Sequence, residues 1–72
     1  MPFFNSRSRF LAELYNERGH AEYKLVDFPT AVTSFTEAIG LNPDFDAAYY
    51  NRGTVHYRMG EWIKILIFAS EK

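Results

Sequence analysis

The sequence predicts an all-α fold: tandem antiparallel helix-turn-helix repeats, an α-solenoid fragment of about one and a half to two units. Three observations predict it. The chain resembles itself at an offset of 34 residues. Apolar and small residues recur at helical spacing within each unit. Proline and glycine stand where the helices must start or stop.

The repeat aligns without a gap. Tyr15, Arg18 and Gly19 correspond to Tyr49, Arg52 and Gly53. Tyr23 corresponds to Tyr57, Asp27 to Glu61, and Phe28 to Trp62. A period of this size is that of a helix-turn-helix unit, whose two helices bury their apolar faces only when neighbouring units stack.

Residues 1–9 read as an N-terminal leader, frayed before the first helix, with Arg7 and Arg9 and no acidic residue. They lack the continuous apolar stretch of a secretory signal. The first helix pair spans 10–45. Its helix A runs from Phe10 to about Leu25, with Leu11, Leu14, Tyr15, Arg18 and Ala21 at helical spacing. Val26 and Asp27 make the turn. Pro29 suits the first turn of helix B, where its missing N–H costs nothing. Helix B carries Ala31, Val32, Phe35, Ala38 and Ile39 on one face and ends at Asn42-Pro43-Asp44. The second helix pair spans 46–72. Its helix A is expected from Asp46 to Met59, with Gly60 as C-cap and a last helix from Glu61 to about Ser70. The repeat pattern becomes atypical or truncated after about residue 62.

Glycine inside a helix costs on the order of 1 kcal/mol against alanine. Gly19 and Gly53 are therefore expected where two helix backbones cross closely. Ala31 and Ala38 read as the small residues facing them, and Tyr15 and Tyr49 as the side chains that fill the space alongside. Most of the seven Phe, five Tyr and one Trp are expected in the core or at an interface.

Together these residues resemble the tetratricopeptide-repeat family. The first unit matches its pattern through Tyr15, Arg18, Gly19, Tyr23, Phe28, Ala31, Phe35, Ala38 and Pro43, and the second through Tyr49 to Trp62. Three departures stand out: Val26 where the family has glycine, Ile65 where it has alanine, and Ala69 where it has a large aromatic residue. The resemblance implies a non-catalytic module that binds a peptide or partner helix on the concave face lined by helix A. It places Glu13, Asn16, His20, Tyr23 and Lys24 on that face, with Ala47, Tyr50, Thr54, Tyr57 and Arg58 as their counterparts, and Asn51 beside them. Asparagine can brace a bound backbone with both a donor and an acceptor. Lys24 and Arg58 can attract a carboxylate, and the tyrosines can anchor a partner.

Some members of the family bind the C-terminal carboxylate of chaperones through a two-carboxylate clamp. Asn51 fits one clamp position, but Asn16 stands where the clamp has lysine and His20 where it has asparagine. A third helix A is missing from the pattern. Stacked repeats usually need about three units. The alternative expectation is therefore a truncated array without independent function, or one that self-associates through the incomplete C-terminal repeat. Within that repeat, Ile63–Phe68 is an aggregation hazard if exposed, with Lys64 its only charge.

Composition narrows the other classes. The formal net charge is -1, from eight Lys+Arg and nine Asp+Glu, so no strong field marks a nucleic-acid partner. No run reaches the roughly 20 apolar residues of a bilayer span, so no membrane partner is expected. There is no cysteine, which excludes disulfides and thiolate metal sites and fits a reducing compartment; a cytoplasmic location is the expectation. His20 and His56 sit at different repeat offsets and share no metal-binding spacing. The serines lack a glycine-rich elbow, and Glu13 and Glu17, one turn apart, look like ordinary surface carboxylates. No catalytic, cofactor-binding or metal-ligating residue is expected, and the partner is expected to be a protein or peptide.

Overall fold

In the computed structural model, which describes residues 5–70, helix α1 (Ser6–Lys24) starts earlier than the apolar periodicity suggests. Asn5 is its N-cap: the side-chain oxygen accepts the backbone N–H of Ser8 at 3.0 Å. The expected frayed leader is therefore corrected from Ser6 onward, because a cap two turns ahead of Leu11 allows the polar segment to coil. Residues 1–4 of that leader lie outside the described residues.

The end of α1 is a Schellman turn. The N–H of Asp27 donates to Glu22 O and that of Val26 to Tyr23 O, each at 2.9 Å. Val26 holds φ at 63°, the left-handed region that favours glycine. The chain then enters α2 (Phe28–Leu41), with Pro29 in the first turn as expected. Asn42, extended ahead of Pro43, ends α2, and its side-chain oxygen accepts the N–H of Asp44 at 3.3 Å.

Small residues decide how α1 and α2 meet. Ala31 and Ala38 are fully buried on α2, and Ala12 on α1. Gly19 makes room for a ring: a Cβ there would lie 2.8–2.9 Å from the Phe35 ring, closer than real Cβ contacts run. A polar lock sits beside this contact. The buried Ser34 hydroxyl donates to Glu22 Oε1 at 2.6 Å, and Arg18 Nε donates to Glu22 Oε2 at 3.0 Å.

Helix α3 (Asp46–Ser70) lies against α2 through Ala48 and Val55. Two small apolar clusters hold the three helices together. One joins Phe28, Ala31, Phe35 and Val55; the other joins Ala12, Ala38 and Ala48, with Tyr15, Ile39 and Phe45 packed around it.

The second helix pair does not form. The helix expected to end at Gly60 runs on for 25 residues in total, and Gly60 is not in the left-handed conformation. The cause is legible 34 residues upstream. Ile63 stands in place of Pro29, so nothing interrupts the helix. Ile65 stands in place of Ala31, too large for close packing, and Ala69 in place of Phe35, too small to fill the space beside Gly53. His56 and Phe68 replace Glu22 and Ser34, so the polar lock has no counterpart. Consequently nothing lies within 4 Å of a Cβ at Gly53, and every residue from Gly60 to Ser70 is exposed. The aromatics expected in the core or at an interface are only in part buried within this chain. Phe28 and Phe35 are, but Tyr49, Tyr50, Tyr57, Trp62 and Phe68 are exposed, because the helix that would cover several of them does not fold back.

Candidate functional site

Two side-chain hydrogen bonds join α1 to α3. Asn51 Nδ2 donates to Asn16 Oδ1 at 3.1 Å. Arg58 Nη1 donates to the Tyr23 hydroxyl, also at 3.1 Å. Each pair is 35 residues apart, close to the repeat period, so stacking of the units brings them together.

Between these two bridges lies a hollow of about 200 Å³, lined by His20, Tyr23, Tyr50, Asn51 and Thr54 and floored by Phe35 and Val55. His20 stacks on Tyr23 with ring centroids 6.4 Å apart, and Tyr23 leans on Phe28 at 5.6 Å. Thr54, which also lines the hollow, donates its hydroxyl back to Tyr50 O at 3.0 Å. Tyr50 is 75% exposed and forms the outer wall. Ligand pockets for small molecules run from about 300 Å³ upward. A hollow of this size suits one side chain of a larger partner.

The structure thus gathers His20, Tyr23, Tyr50, Asn51 and Thr54 around one hollow and ties Asn16 and Arg58 to its rim. Glu13 lies exposed on the first half of α1, outside the hollow. Lys24 is the exposed last residue of α1. Tyr57 is 67% exposed and lies outside the hollow lining. Arg58 also pairs with Glu61 at 3.4 Å, an exposed contact. The two asparagines expected to brace a ligand instead use one donor and one acceptor on each other. Their remaining amide groups stay available to a bound backbone. Arg18 and Arg52, equivalent positions of the repeat, differ in their surroundings. Arg18 is largely exposed on Glu22, while Arg52 donates to the Thr36 hydroxyl at 3.1 Å and lies over the Tyr49 ring. Sequence reasoning did not place Val55 in the site. Its signal is its position one turn after Asn51, on the face of α3 turned to α2.

Among the described residues no group of three or more His, Cys, Asp or Glu side chains converges, and no helix is long and apolar enough to cross a membrane.

Three packed helices whose sequence repeats at a helix-turn-helix period define the class of an α-helical repeat. The family described as TPR repeat matches residues 19–60, and the chain belongs to that family. Repeats of this family generally mediate protein–protein interaction. The chain is similar to the E3 ubiquitin-protein ligase CHIP of Arabidopsis thaliana, 34% identical over 55 residues. That similarity covers 76% of this chain but only 20% of the relative, so the chain spans about a fifth of its length. No solved structure matches the chain.

Proposed function

We propose that the face between α1 and α3 holds an extended peptide or helix of a protein partner, with one partner side chain seated in the hollow of about 200 Å³. The observation that carries this reading is the convergence of His20, Tyr23, Tyr50, Asn51 and Thr54 on that hollow from two helices. Tyr50 contributes exposed aromatic area at little entropic cost. Asn16 and Asn51 offer their free amide groups to the partner's backbone, and Lys24 and Arg58 favour an acidic flank. The module is non-catalytic. The stretches Val26-Asp27-Phe28 and Tyr49-Tyr50-Asn51-Arg52-Gly53 also resemble the small tetratricopeptide repeat protein 32, and that closer kinship belongs to this proposal.

The test is selection from a displayed library of random peptides against the whole chain. Peptides should be enriched, and Tyr50→Ala should weaken the selected ones about tenfold or more while leaving the helical spectrum intact. Equal binding by the variant would remove the hollow from the account. Comparing each peptide with a free and an amidated C-terminus separates capture of a terminal carboxylate, as in the chaperone clamp, from recognition of an internal segment.

A further inference from the structure

The hollow between α1 and α3 has a neighbour. Tyr50 and Thr54 line it on one side and a second, shallower groove on the other. Tyr49, Gly53 and Tyr57 border that groove. Tyr50, Thr54 and Tyr57, spaced four and three residues apart, form one ridge along α3 with a slot on either side. The free hydrogen-bonding groups around the two slots are mostly donors. The Tyr23 hydroxyl accepts Arg58 Nη1, which leaves its own proton to donate. Asn51 gives one amide proton to Asn16 and keeps one, and the Asn16 amide keeps both. Tyr50 and Tyr57, 75% and 67% exposed, add two hydroxyls. Among the described residues no carboxylate lines either slot. Glu61, outside both, is paired with Arg58.

We infer that the peptide held at this face is a proline-rich segment in the polyproline II conformation. The inference rests on the peptide-binding reading above and narrows it. Proline has no N–H, and a polyproline II helix makes no internal hydrogen bonds, so such a segment offers carbonyl acceptors and few donors. That is the complement of a donor-rich site. An extended strand would bring an N–H with every carbonyl to slots that hold few acceptors. An α-helix satisfies its own backbone and would leave the donors unused. Flat proline rings also suit the aromatic walls, and grooves lined by aromatic side chains are a recurring seat for polyproline II segments. The spacing agrees. One polyproline II turn is three residues and about 9 Å, close to the width of the single helix that carries both slots, about 10 Å. Prolines three residues apart therefore straddle Tyr50, one in the hollow and the other in the groove.

Two peptide libraries separate this inference from the reading beneath it. One has Pro-x-x-Pro fixed; the other has Ala-x-x-Ala fixed and proline excluded throughout. The whole chain should enrich the first and not the second. Enrichment from neither library removes peptide binding altogether. Equal enrichment, or enrichment from the alanine library alone, leaves peptide binding in place and overturns the polyproline assignment. In an enriched peptide, alanine in place of either proline should weaken binding about tenfold or more. The Tyr50→Phe/Tyr57→Phe variant keeps both rings and loses both hydroxyls. Its helical spectrum should be unchanged, since both side chains are exposed. Its affinity should fall about tenfold, the effect of two ordinary hydrogen bonds. Unchanged affinity would show that the donors are not used and would overturn the inference. So would a difference spectrum in which the peptide turns helical on binding.

Discussion

Gly19 and Val26 are opposite cases of one constraint, the room around a Cβ. At Gly19 the Phe35 ring, itself 1% exposed, has nowhere to go. Gly19→Ala gains about 1 kcal/mol of helix propensity but forces the ring aside, and overpacking of this kind costs about 1–3 kcal/mol. A net loss of roughly 1 kcal/mol in urea denaturation is expected. Gly53→Ala meets no neighbour, so in dilute monomer it should stabilise by about 0.5–1 kcal/mol. Similar effects at the two glycines would mean that α2 does not press on Gly19. At Val26 the backbone carries the constraint. A β-branched residue in the left-handed region is strained by about 1–2 kcal/mol, and Val26 is more than half exposed, so little packing is at stake. Val26→Gly should raise stability by about 1 kcal/mol despite the added freedom of the unfolded chain. A lower melting temperature would show that the Val26 side chain contributes packing that outweighs the strain.

The same reasoning extends to whole helices. Helix α2 is bounded by Pro29 at its start and Asn42-Pro43 at its end, and proline acts through covalent geometry alone, so both limits were legible in the sequence. The start of α1 was not. Arg7 and Arg9 carry no apolar periodicity, and the decisive group, the Asn5 side chain, acts through one hydrogen bond. Gly60 misled for a different reason. A glycine permits a helix to stop without compelling it, and the outcome is decided downstream, at Ile63, Ile65 and Ala69. Ile63→Pro tests this at the scale of the element. It should end α3 near Trp62 and remove about two turns of helix from the circular-dichroism signal. The melting midpoint of the Phe35–Val55 cluster should move little, since none of the side chains packed in that cluster lies beyond Gly60. In the candidate site, His20, Tyr23, Tyr50 and Thr54 were named through the family resemblance, which implies one shared face for the first helix of each unit. The Asn16–Asn51 and Tyr23–Arg58 bridges were not, because side-chain pairing depends on the crossing of α1 and α3.

Across the molecule, packing is concentrated at one end. The radius of gyration is 14.6 Å, with extents of 55 × 20 × 13 Å, against about 11 Å for a compact chain of this length. The excess is the far half of α3, which projects beyond the three-helix body. X-ray scattering from dilute protein should give a radius closer to the larger value; the smaller one would mean that the helix has folded back.

The unbroken path of α3 through Gly60 has a kinetic side. Starting a helix in isolation is unfavourable by a factor of about a thousand, on the order of 4 kcal/mol, because the first turn fixes several residues for one hydrogen bond. The half of α3 anchored by Ala48 and Val55 supplies that first turn, and the projecting half has only to extend it. Extension is easily reversed where no side chain is buried, and Gly60 is the residue at which it stalls most readily. In the monomer, amide hydrogens beyond Gly60 should exchange with solvent orders of magnitude faster than that of Val55. The boundary between slow and fast should fall at Gly60, within a stretch of helix whose backbone geometry shows no break.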